Sequence, residues 1–461
     1  MALTTNNLWD RFPAVNPGLP TGPNQNGPAG CRSHTAADRQ DAGPTRPSSG
    51  DGVASSRPGI GRREFIAGAA AAATAFTIVR PSAVRGSEAN SAIAIGLLGC
   101  GGRGNWIADL FVKHGGYRLV ACGDYYAEQI DQLAKKLGDR FEIDKAKRFT
   151  TLSACKRLCD EKLDAIVVET PPYFHPEQCA AAVEAGKHVY VAKPIAVDAP
   201  GCLSIGESGK KATANKKVFL VDFQTRANEY YREAVKRVHA GAIGKLVTGW
   251  ANYPWGVGHF PGPAAPEDRL RRWYCFRELS GDFIIEQNIH TLDVGTWIVN
   301  ADPVKAIGGG GSKGLRAYGN IYDWFQVNFW FPGDFILSYT GNQCTPGAPT
   351  EIACRIYGSK GTIDTDYYTH VKIDGMPEAV YKGGEWAHGA LYKDGTVVNI
   401  KEFHEAVTKG DCTNPTVAPS VRSNLTCVLG RTAAYENRMV TWDEMMAKKE
   451  RMEPDLKGLK V

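Results

Sequence analysis

Four residues in the middle of the chain are of the types that move a proton to or from a hydroxyl group. Glu286, His290 and Asp293 are spaced i, i+4 and i+7, so on one continuous helix they would share a face. A carboxylate one turn away can orient an imidazole and raise its basicity. Lys193 ends an apolar run and precedes Pro194, which excludes it from a regular helix interior. Hydride removal from an alcohol needs a base and a positive charge beside the alkoxide, and His290 and Lys193 could supply them.

The spacing leaves other interpretations open. His290 could be a hydrogen-bonded core histidine with Glu286 as its structural pair, and the pattern alone does not separate this from catalysis. Carboxylate–His–carboxylate on one face could also bind a divalent cation. Because no fourth ligand is evident in the sequence, we expect no metal site.

A G-x-G-x-x-G pattern follows the first long apolar run. Residues 91–98 predict a strand, and a helical stretch begins at Asn105. In such a turn the first Gly permits the bend, the second lets the backbone approach a pyrophosphate, and the third lets the helix pack on the strand. The free N–H groups of the helix N-terminus would face the phosphates. The turn residues expected at a dinucleotide are Gly99, Gly101, Gly102, Arg103 and Gly104.

An acid stands where a nucleotide ribose would lie. The apolar run 117–123 predicts a second strand and ends at Asp124, 20 residues after Gly104. A carboxylate there binds ribose hydroxyls and repels a 2′-phosphate, so NAD is expected rather than NADP. The alternative is that Asp124 is only a loop or capping residue.

The alternation of strands and helices continues beyond this point. Residues 164–168 and 188–191 predict buried strands, with a helix over 175–186 between them. The fold class we predict is α/β, with a doubly wound parallel (Rossmann) sheet over 91–222. Residues 223–395 predict an α+β domain with an open, mostly antiparallel sheet, and 396–461 predict helices that pack back on the first domain.

Aromatic and charged residues outside these patterns are candidates for substrate contact. Trp255 and Trp273 lie in a stretch rich in aromatics, Arg, Pro and Gly, which could stack on a sugar. We add Arg226 and Asp293 as candidate substrate contacts. The aromatic stretch could equally form a satellite apolar cluster or a subunit contact.

The first ninety residues differ from the rest. Residues 1–60 contain eight Pro and eight Gly and few large aliphatics, which predicts a disordered leader. Arg62-Arg63 then precedes the apolar run 67–79, which resembles a twin-arginine export signal with its linker over 61–90. We expect an exported protein in the periplasm or an equivalent compartment, or a cytoplasmic one if the signal does not function. The apolar run is too short for a stable membrane span.

Composition excludes several classes. The chain has 461 residues, of which 43% are hydrophobic and 22% charged, and its net charge is only +5. Such a chain can bury a large core, and it lacks the dense basic face that nucleic acid requires. The twelve cysteines include no C-x-x-C pair, so we expect buried free thiols.

From Ile93 to about Met446 the chain resembles the Gfo/Idh/MocA family of glucose–fructose oxidoreductases and inositol dehydrogenases. The resemblance rests on the glycine turn, on Thr170-Pro171-Pro172 with His175, on the G-K-H-V-x-x-A-K-P run ending at Pro194, and on the segment from Gly281 to Asp293. It implies an NAD-dependent enzyme acting on a hydroxyl or carbonyl of a sugar, cyclitol or glycoside. It also implies cofactor contacts at Thr170, Pro171, His175 and Lys193, and a homo-oligomer formed through the C-terminal sheet.

Two positions depart from the family pattern. Ala192 stands where the family has Glu, and Glu286 stands where it has Asp. Two other functions therefore stay open beside the dehydrogenase: a glycosidase or lyase that uses NAD for transient oxidation and elimination, and a non-catalytic nucleotide-binding protein.

Overall fold

The computed structural model describes residues 92–256, 267–316 and 318–461. The predicted leader at 1–60 and the twin-arginine segment at 61–90 lie outside the described residues. Within the described ranges, no helix is both long enough and apolar enough to cross a bilayer.

Six parallel strands form the sheet of the first domain in the order β3-β2-β1-β4-β5-β6. The strands are Ile93–Leu98 (β1), Tyr117–Asp124 (β2), Arg148–Thr150 (β3), Ala165–Val168 (β4), His188–Ala192 (β5) and Phe219–Asp222 (β6). The helices between them are Gly102–His114 (α1), Ala127–Leu137 (α2), Ala154–Asp160 (α3), His175–Glu184 (α4) and Ala199–Ala214 (α5). The predicted Rossmann fold is confirmed, and its strand order reverses between β1 and β4, where ligands bind in such sheets.

Residues of the central strands alternate between two apolar clusters. Val167, Tyr190 and Leu220 lie on the face that α1 covers through Phe111. Their neighbours Val168, Val191 and Val221 lie on the opposite face, in the cluster that α4 and α5 complete. This period of two fixes which side chains emerge together at the carboxyl edge of the sheet.

Nine strands form the sheet of the second domain in the order β14-β13-β12-β11-β7-β10-β9-β8-β15. They are Leu246–Pro254 (β7), Lys305–Gly311 (β8), Trp324–Trp330 (β9), Ile336–Asn342 (β10), Ala353–Gly358 (β11), Gly361–Asp366 (β12), His370–Gly375 (β13), Tyr381–Glu385 (β14) and Val440–Thr441 (β15). Among the described strands of this sheet, only β7 and β10 pair in parallel, so the predicted mostly antiparallel sheet is confirmed.

The remaining helices connect and cover this sheet. They are Gln224–Ala227 (α6), Glu229–His239 (α7), Asp268–Arg271 (α8), Arg277–Ser280 (α9), Phe283–Glu286 (α10), Ile289–Val299 (α11), Ala390–Lys409 (α12), Val417–Glu436 (α13) and Trp442–Lys448 (α14). Short 3-10 turns occupy 138–140, 145–147, 273–275 and 332–334. Helix α12 packs on α1 and β6, and α13 packs on α5. The predicted boundary at 395/396 therefore falls inside α12.

One face of the nine-stranded sheet stays open. In β9, Phe325, Val327 and Phe329 are buried, whereas Gln326 is exposed. Val247 on β7 is 58% exposed. This alternation is that of an antiparallel sheet packed on one side. The eleven cysteines of the described ranges are free thiols; nine of them are buried, as predicted, whereas Cys159 and Cys412 are partly exposed.

Candidate active site

The glycine turn has the shape that a dinucleotide requires. Gly99 has φ +93°, and a side-chain carbon on it would lie 2.6 Å from the carbonyl carbon of Glu169. A side-chain carbon on Gly104 would overlap the carbonyl oxygen of Gly99, so the helix packs directly on the turn. At Gly101, by contrast, an added carbon would meet no described atom within 4 Å. The first and third glycines are thus needed for the fold, whereas Gly101 faces free space beside the helix N-terminus.

That N-terminus fits an anionic group. Helix α1 begins at Gly102 with Gly101 as its N-cap, and no side chain from the described part of the chain caps its first N–H groups. Such groups bind phosphate well, because they are unpaired donors at the positive end of the helix dipole. Gly101, Gly102 and the backbone of Arg103 would therefore hold the pyrophosphate of a bound dinucleotide.

Asp124 lies at the end of β2 beside the same turn. Its carboxylate accepts hydrogen bonds from the backbone N–H of Cys100 at 2.6 Å and of Tyr126 at 2.8 Å. Burial raises the pKa of Asp124 to about 6. The contact with Cys100 links the second strand to the glycine turn, so Asp124 lies at the carboxyl edge of the sheet, the edge where ligands bind in such folds.

The imidazole of His175 contacts two neighbouring loops of the first domain. Its Nε2 lies 2.7 Å from the carbonyl oxygen of Thr170, and its Nδ1 lies 2.9 Å from that of Pro194. Burial lowers the pKa of His175 to about 4. Pro171 lies in the turn that leads to α4, where its carbonyl accepts from Phe174 N–H. His175 thus joins the loop after β4 to the loop after β5, which carries Lys193.

The side chain of Lys193 contacts the backbone of Glu286. The ammonium of Lys193 donates to the carbonyl oxygen of Glu286 at 2.8 Å, and both residues are 7% exposed. Burial lowers the pKa of Lys193, while the Glu286 carboxylate opposes that shift. Burial likewise raises the pKa of Glu286.

The prediction that Glu286, His290 and Asp293 share one continuous helix is wrong. Helix α10 ends at Glu286, and α11 begins at Ile289. The His290 N–H bonds to the carbonyl of Gln287 instead of that of Glu286, four residues back. The break frees the Glu286 carbonyl, which then accepts from Lys193.

His290 nevertheless lies in the same cluster. Its ring centroid is 5.0 Å from that of Tyr367, and its buried Nδ1 bonds to no residue of the described ranges. Burial and the nearby charges of Lys193 and Arg103 hold the pKa of His290 well below its usual value. A neutral imidazole with an unsatisfied nitrogen in a buried cluster is suited to exchange a proton with a bound hydroxyl.

Arg103 reaches away from the glycine turn into this cluster. Its guanidinium forms ion pairs with Glu169 at 2.9 Å and with Asp222, and it donates to the hydroxyl of Tyr392 at 2.5 Å. Glu169 and Asp222 did not emerge from the sequence analysis. The signal was present, because each acid comes at the end of an apolar strand, as Asp124 does.

Asp293 and Arg226, predicted as substrate contacts, bind each other. Arg226 Nε and Nη2 lie 2.8–3.0 Å from the carboxylate of Asp293, which is fully buried and also accepts from Ser423 at 2.6 Å. The arginine stacks on Trp297 at 4.9 Å. This geometry is that of a structural ion pair between α6 and α11.

The two tryptophans predicted at the substrate pack against different apolar clusters. Trp255 follows β7. Its backbone N–H donates to the carbonyl oxygen of Asn342 at 2.9 Å, and its ring packs on Tyr253. Trp273 belongs to a satellite apolar cluster with Leu270 and Leu279, which is one of the alternatives predicted for that stretch. Residues 257–266, the centre of the stretch, lie outside the described residues.

Fold and site together define a class of protein: a dinucleotide-binding enzyme with a buried lysine after the fifth strand of its sheet and a buried histidine on a helix of the second domain. Residues 93–223 match the model of the oxidoreductase family with an NAD-binding Rossmann fold, and residues 231–364 match the Gfo/Idh/MocA C-terminal domain. These matches cover more than half of the chain, which belongs to the Gfo/Idh/MocA family and is an NAD-dependent oxidoreductase.

Individual relatives are distant. The chain is 25% identical over 295 residues to scyllo-inositol 2-dehydrogenase (NAD(+)) of Bacillus subtilis, covering 60% of this chain and 75% of that protein. It is 25% identical over 283 residues to 2,7-anhydro-N-acetylneuraminate hydratase of Escherichia coli, covering 59% and 68%. A levoglucosan dehydrogenase solved with NADH and levoglucosan superposes with a TM-score of 0.62 at 18% identity, covering 76% of this chain and 99% of that one.

Proposed function

We propose that the protein transfers hydride between NAD and a hydroxyl or carbonyl group of a sugar, cyclitol or glycoside. The observation that carries the proposal is the burial of Lys193 and His290 in one cluster, at the carboxyl edge of the sheet that bears the glycine turn. The B. subtilis inositol dehydrogenase supports the substrate class. When bound, NAD supplies the hydride acceptor for alcohol oxidation or, as NADH, the donor for carbonyl reduction.

The side chains of His290 and Lys193 have different roles in the proposed reaction. The neutral imidazole of His290 accepts the hydroxyl proton, since its Nδ1 is unsatisfied among the described residues. The Lys193 ammonium stabilises the developing alkoxide by charge and hydrogen bonding. The contact between Lys193 and the Glu286 carbonyl fixes where that charge lies. The burial of all three residues excludes water, which strengthens these electrostatic interactions.

A panel experiment tests the proposal. The nucleotide that co-purifies with the protein is identified by mass spectrometry, and the protein is then incubated with NAD and single inositols, aldoses and glycosides. We expect NADH to accumulate with one substrate class, together with a product two hydrogens lighter. Bound NAD without any turnover across the panel would instead favour the non-catalytic nucleotide-binding function.

A second candidate is a lyase or glycosidase that oxidises its substrate only transiently. The similarity to the E. coli hydratase favours it, because water addition or elimination beside a carbonyl can use the same redox site. The distinguishing result is sugar release or dehydration without net NADH. Solvent deuterium would then enter the product beside the transient carbonyl, where a base removes a carbon-bound proton.

Export and oligomer formation are further proposals. The arginine pair at 62–63 and the apolar run after it support twin-arginine export, which N-terminal sequencing of the mature protein tests. The open face of the nine-stranded sheet supports a homo-oligomer, because exposed Val247, Ile307 and Tyr357 lie on its strands. Light scattering of the purified protein checks the oligomeric state.

A further inference from the structure

Three residues at the carboxyl ends of β4, β5 and β6 lie side by side on one face of the sheet. Ala192 is paired in register with Asp222. Val168 is paired with Val191, so Glu169, the next residue, continues alongside Ala192. Since Val167, Tyr190 and Leu220 all lie on the face covered by α1, the residues two positions further emerge on that face too. Ala192 is therefore flanked by a carboxylate on each side.

Arg103 joins these carboxylates. Its Nε lies 2.9 Å from Glu169, and its Nη2 pairs with Asp222. The strands that carry the two acids are separated by β5, so the guanidinium crosses β5 at the level of Ala192. A methyl side chain at position 192 leaves room for this crossing. The side chains of Glu169 and Asp222 are 0% exposed and that of Arg103 is 10% exposed, so the ion pairs are shielded from solvent.

The two carboxylates differ in their other partners. Asp222 also accepts from Gln224 at 3.2 Å and from Asn399 at 2.7 Å. Apart from its ion pair with Arg103, Glu169 accepts no hydrogen bond from a residue of the described ranges, although it is fully buried. Burial raises the pKa of Glu169 to about 7, so this group of one guanidinium and two carboxylates carries a net negative charge above that pH. Lys193 follows Ala192 in the chain, and its ammonium interacts electrostatically with all three members of this group.

We propose that Glu169 and Asp222, held on either side of Ala192 by Arg103, are positioning residues that keep the Lys193 ammonium charged in the buried site. The role of Lys193 itself rests on the proposed function. The other groups that face its ammonium are the carboxylate and carbonyl of Glu286 and the two neutral imidazoles, His175 and His290. Burial and the Arg103 guanidinium disfavour the charged amine, whereas the carboxylates of Glu286, Asp222 and Glu169 favour it. The carboxylate absent from position 192 is thus supplied by the two neighbouring strands.

The decisive measurement is the ionisation of Lys193 itself, in the absence of substrate. Its pKa is obtained from the pH dependence of its acetylation by acetic anhydride, read by mass spectrometry of the peptide. We expect Glu169→Gln, which removes the charge but keeps the shape, to lower the pKa of Lys193 by about one unit, a tenfold change in its protonation equilibrium. Glu169→Asp, which keeps the charge, should leave that pKa near the wild-type value.

Asp109→Asn provides the matched control. Asp109 is a carboxylate of α1 that pairs with Lys113 and Arg140, away from the cluster, so its loss should not affect Lys193. A Lys193 pKa that is the same in Glu169→Gln and wild type would overturn the inference, as would an equal fall in the control. Because this readout needs no turnover, failure to find any sugar substrate would count against the proposed function alone.

Discussion

The ammonium of Lys193 donates a 2.8 Å hydrogen bond to the carbonyl oxygen of Glu286, which is the last residue of helix α10. In an unbroken helix that carbonyl would accept from His290 N–H, which instead bonds to Gln287. The interruption between α10 and α11 thus links the first domain to the second at the point where proton transfer is expected. It also means that the lysine is held by a backbone group that substitution of Glu286 would not remove.

Replacing Lys193 should therefore impair chemistry more than folding. We expect Lys193→Met to lower kcat about 100-fold, the usual loss when one donor to a developing oxyanion is removed, with NAD still bound. Steady-state kinetics and calorimetric titration with NAD measure the two effects. Lys187→Met is the control, because Lys187 also donates to backbone carbonyls, those of Glu161 and Leu163, but at the far end of the sheet. Equal losses of kcat in both variants would contradict a catalytic role for Lys193.

Substitutions in the glycine turn should separate folding from cofactor binding. Gly101→Ala adds a methyl group where no described atom lies within 4 Å, and φ of −68° suits alanine. We expect its melting temperature without NAD to match the wild type, while NAD binds at least about tenfold more weakly, a loss of about 1.4 kcal/mol. Gly104→Ala should instead destabilise the protein, because its methyl group would overlap the Gly99 carbonyl. Thermal melts with and without NAD check both, and unchanged NAD affinity in Gly101→Ala would place the pyrophosphate elsewhere.

The sequence could predict the parallel sheet because buried parallel strands are continuous apolar runs with glycine turns between them. It could not predict β8 or β14, whose glycine-rich segments carry no apolar alternation. β14 pairs with its neighbour in the chain, β13, whereas β8 pairs with the next strand, β9, and with β15, which lies far along the chain. Pairings of that kind depend on tertiary contacts that no local pattern records.

The sequence could predict those residues of the candidate site that lie within one short segment. Lys193 and His290 could be found because each lies in a compact motif. The break between α10 and α11 after Glu286 could not be predicted. Residues 283–299 form one apolar stretch of helical pattern, which contains no proline and no internal capping signal beyond Asn288. The bridge from Glu169 through Arg103 to Asp222 joins three separate segments. Only the register of β4, β5 and β6 brings these residues together.

The ion pair of Arg226 and Asp293 should contribute to stability rather than to substrate choice. Arg226→Ala leaves the fully buried Asp293 carboxylate without its bidentate partner, which should cost about 3–5 kcal/mol in free energy of unfolding. Arg232→Ala breaks a pair with Glu402 whose side chains are 44% and 38% exposed, and should cost at most about 1 kcal/mol. Urea denaturation measures both. A stable Arg226→Ala protein with a strongly raised KM would restore Arg226 as a substrate contact.

His175 should make the protein less stable in mild acid. Its folded pKa of about 4 lies below its ordinary value of 6.5, so between these values the unfolded chain binds more protons than the folded one. The stabilisation from keeping the imidazole neutral is complete above pH 6.5 and is lost as pH falls towards 4, by about 3 kcal/mol at most. His175→Asn cannot be protonated, so its free energy of unfolding should fall less than that of the wild type between pH 7 and 4.5. Urea titrations of both proteins across this range provide the comparison. Parallel pH curves would show that folding does not shift the pKa of His175, and a smaller fall for the wild type than for the variant would show that His175 is charged in the folded protein.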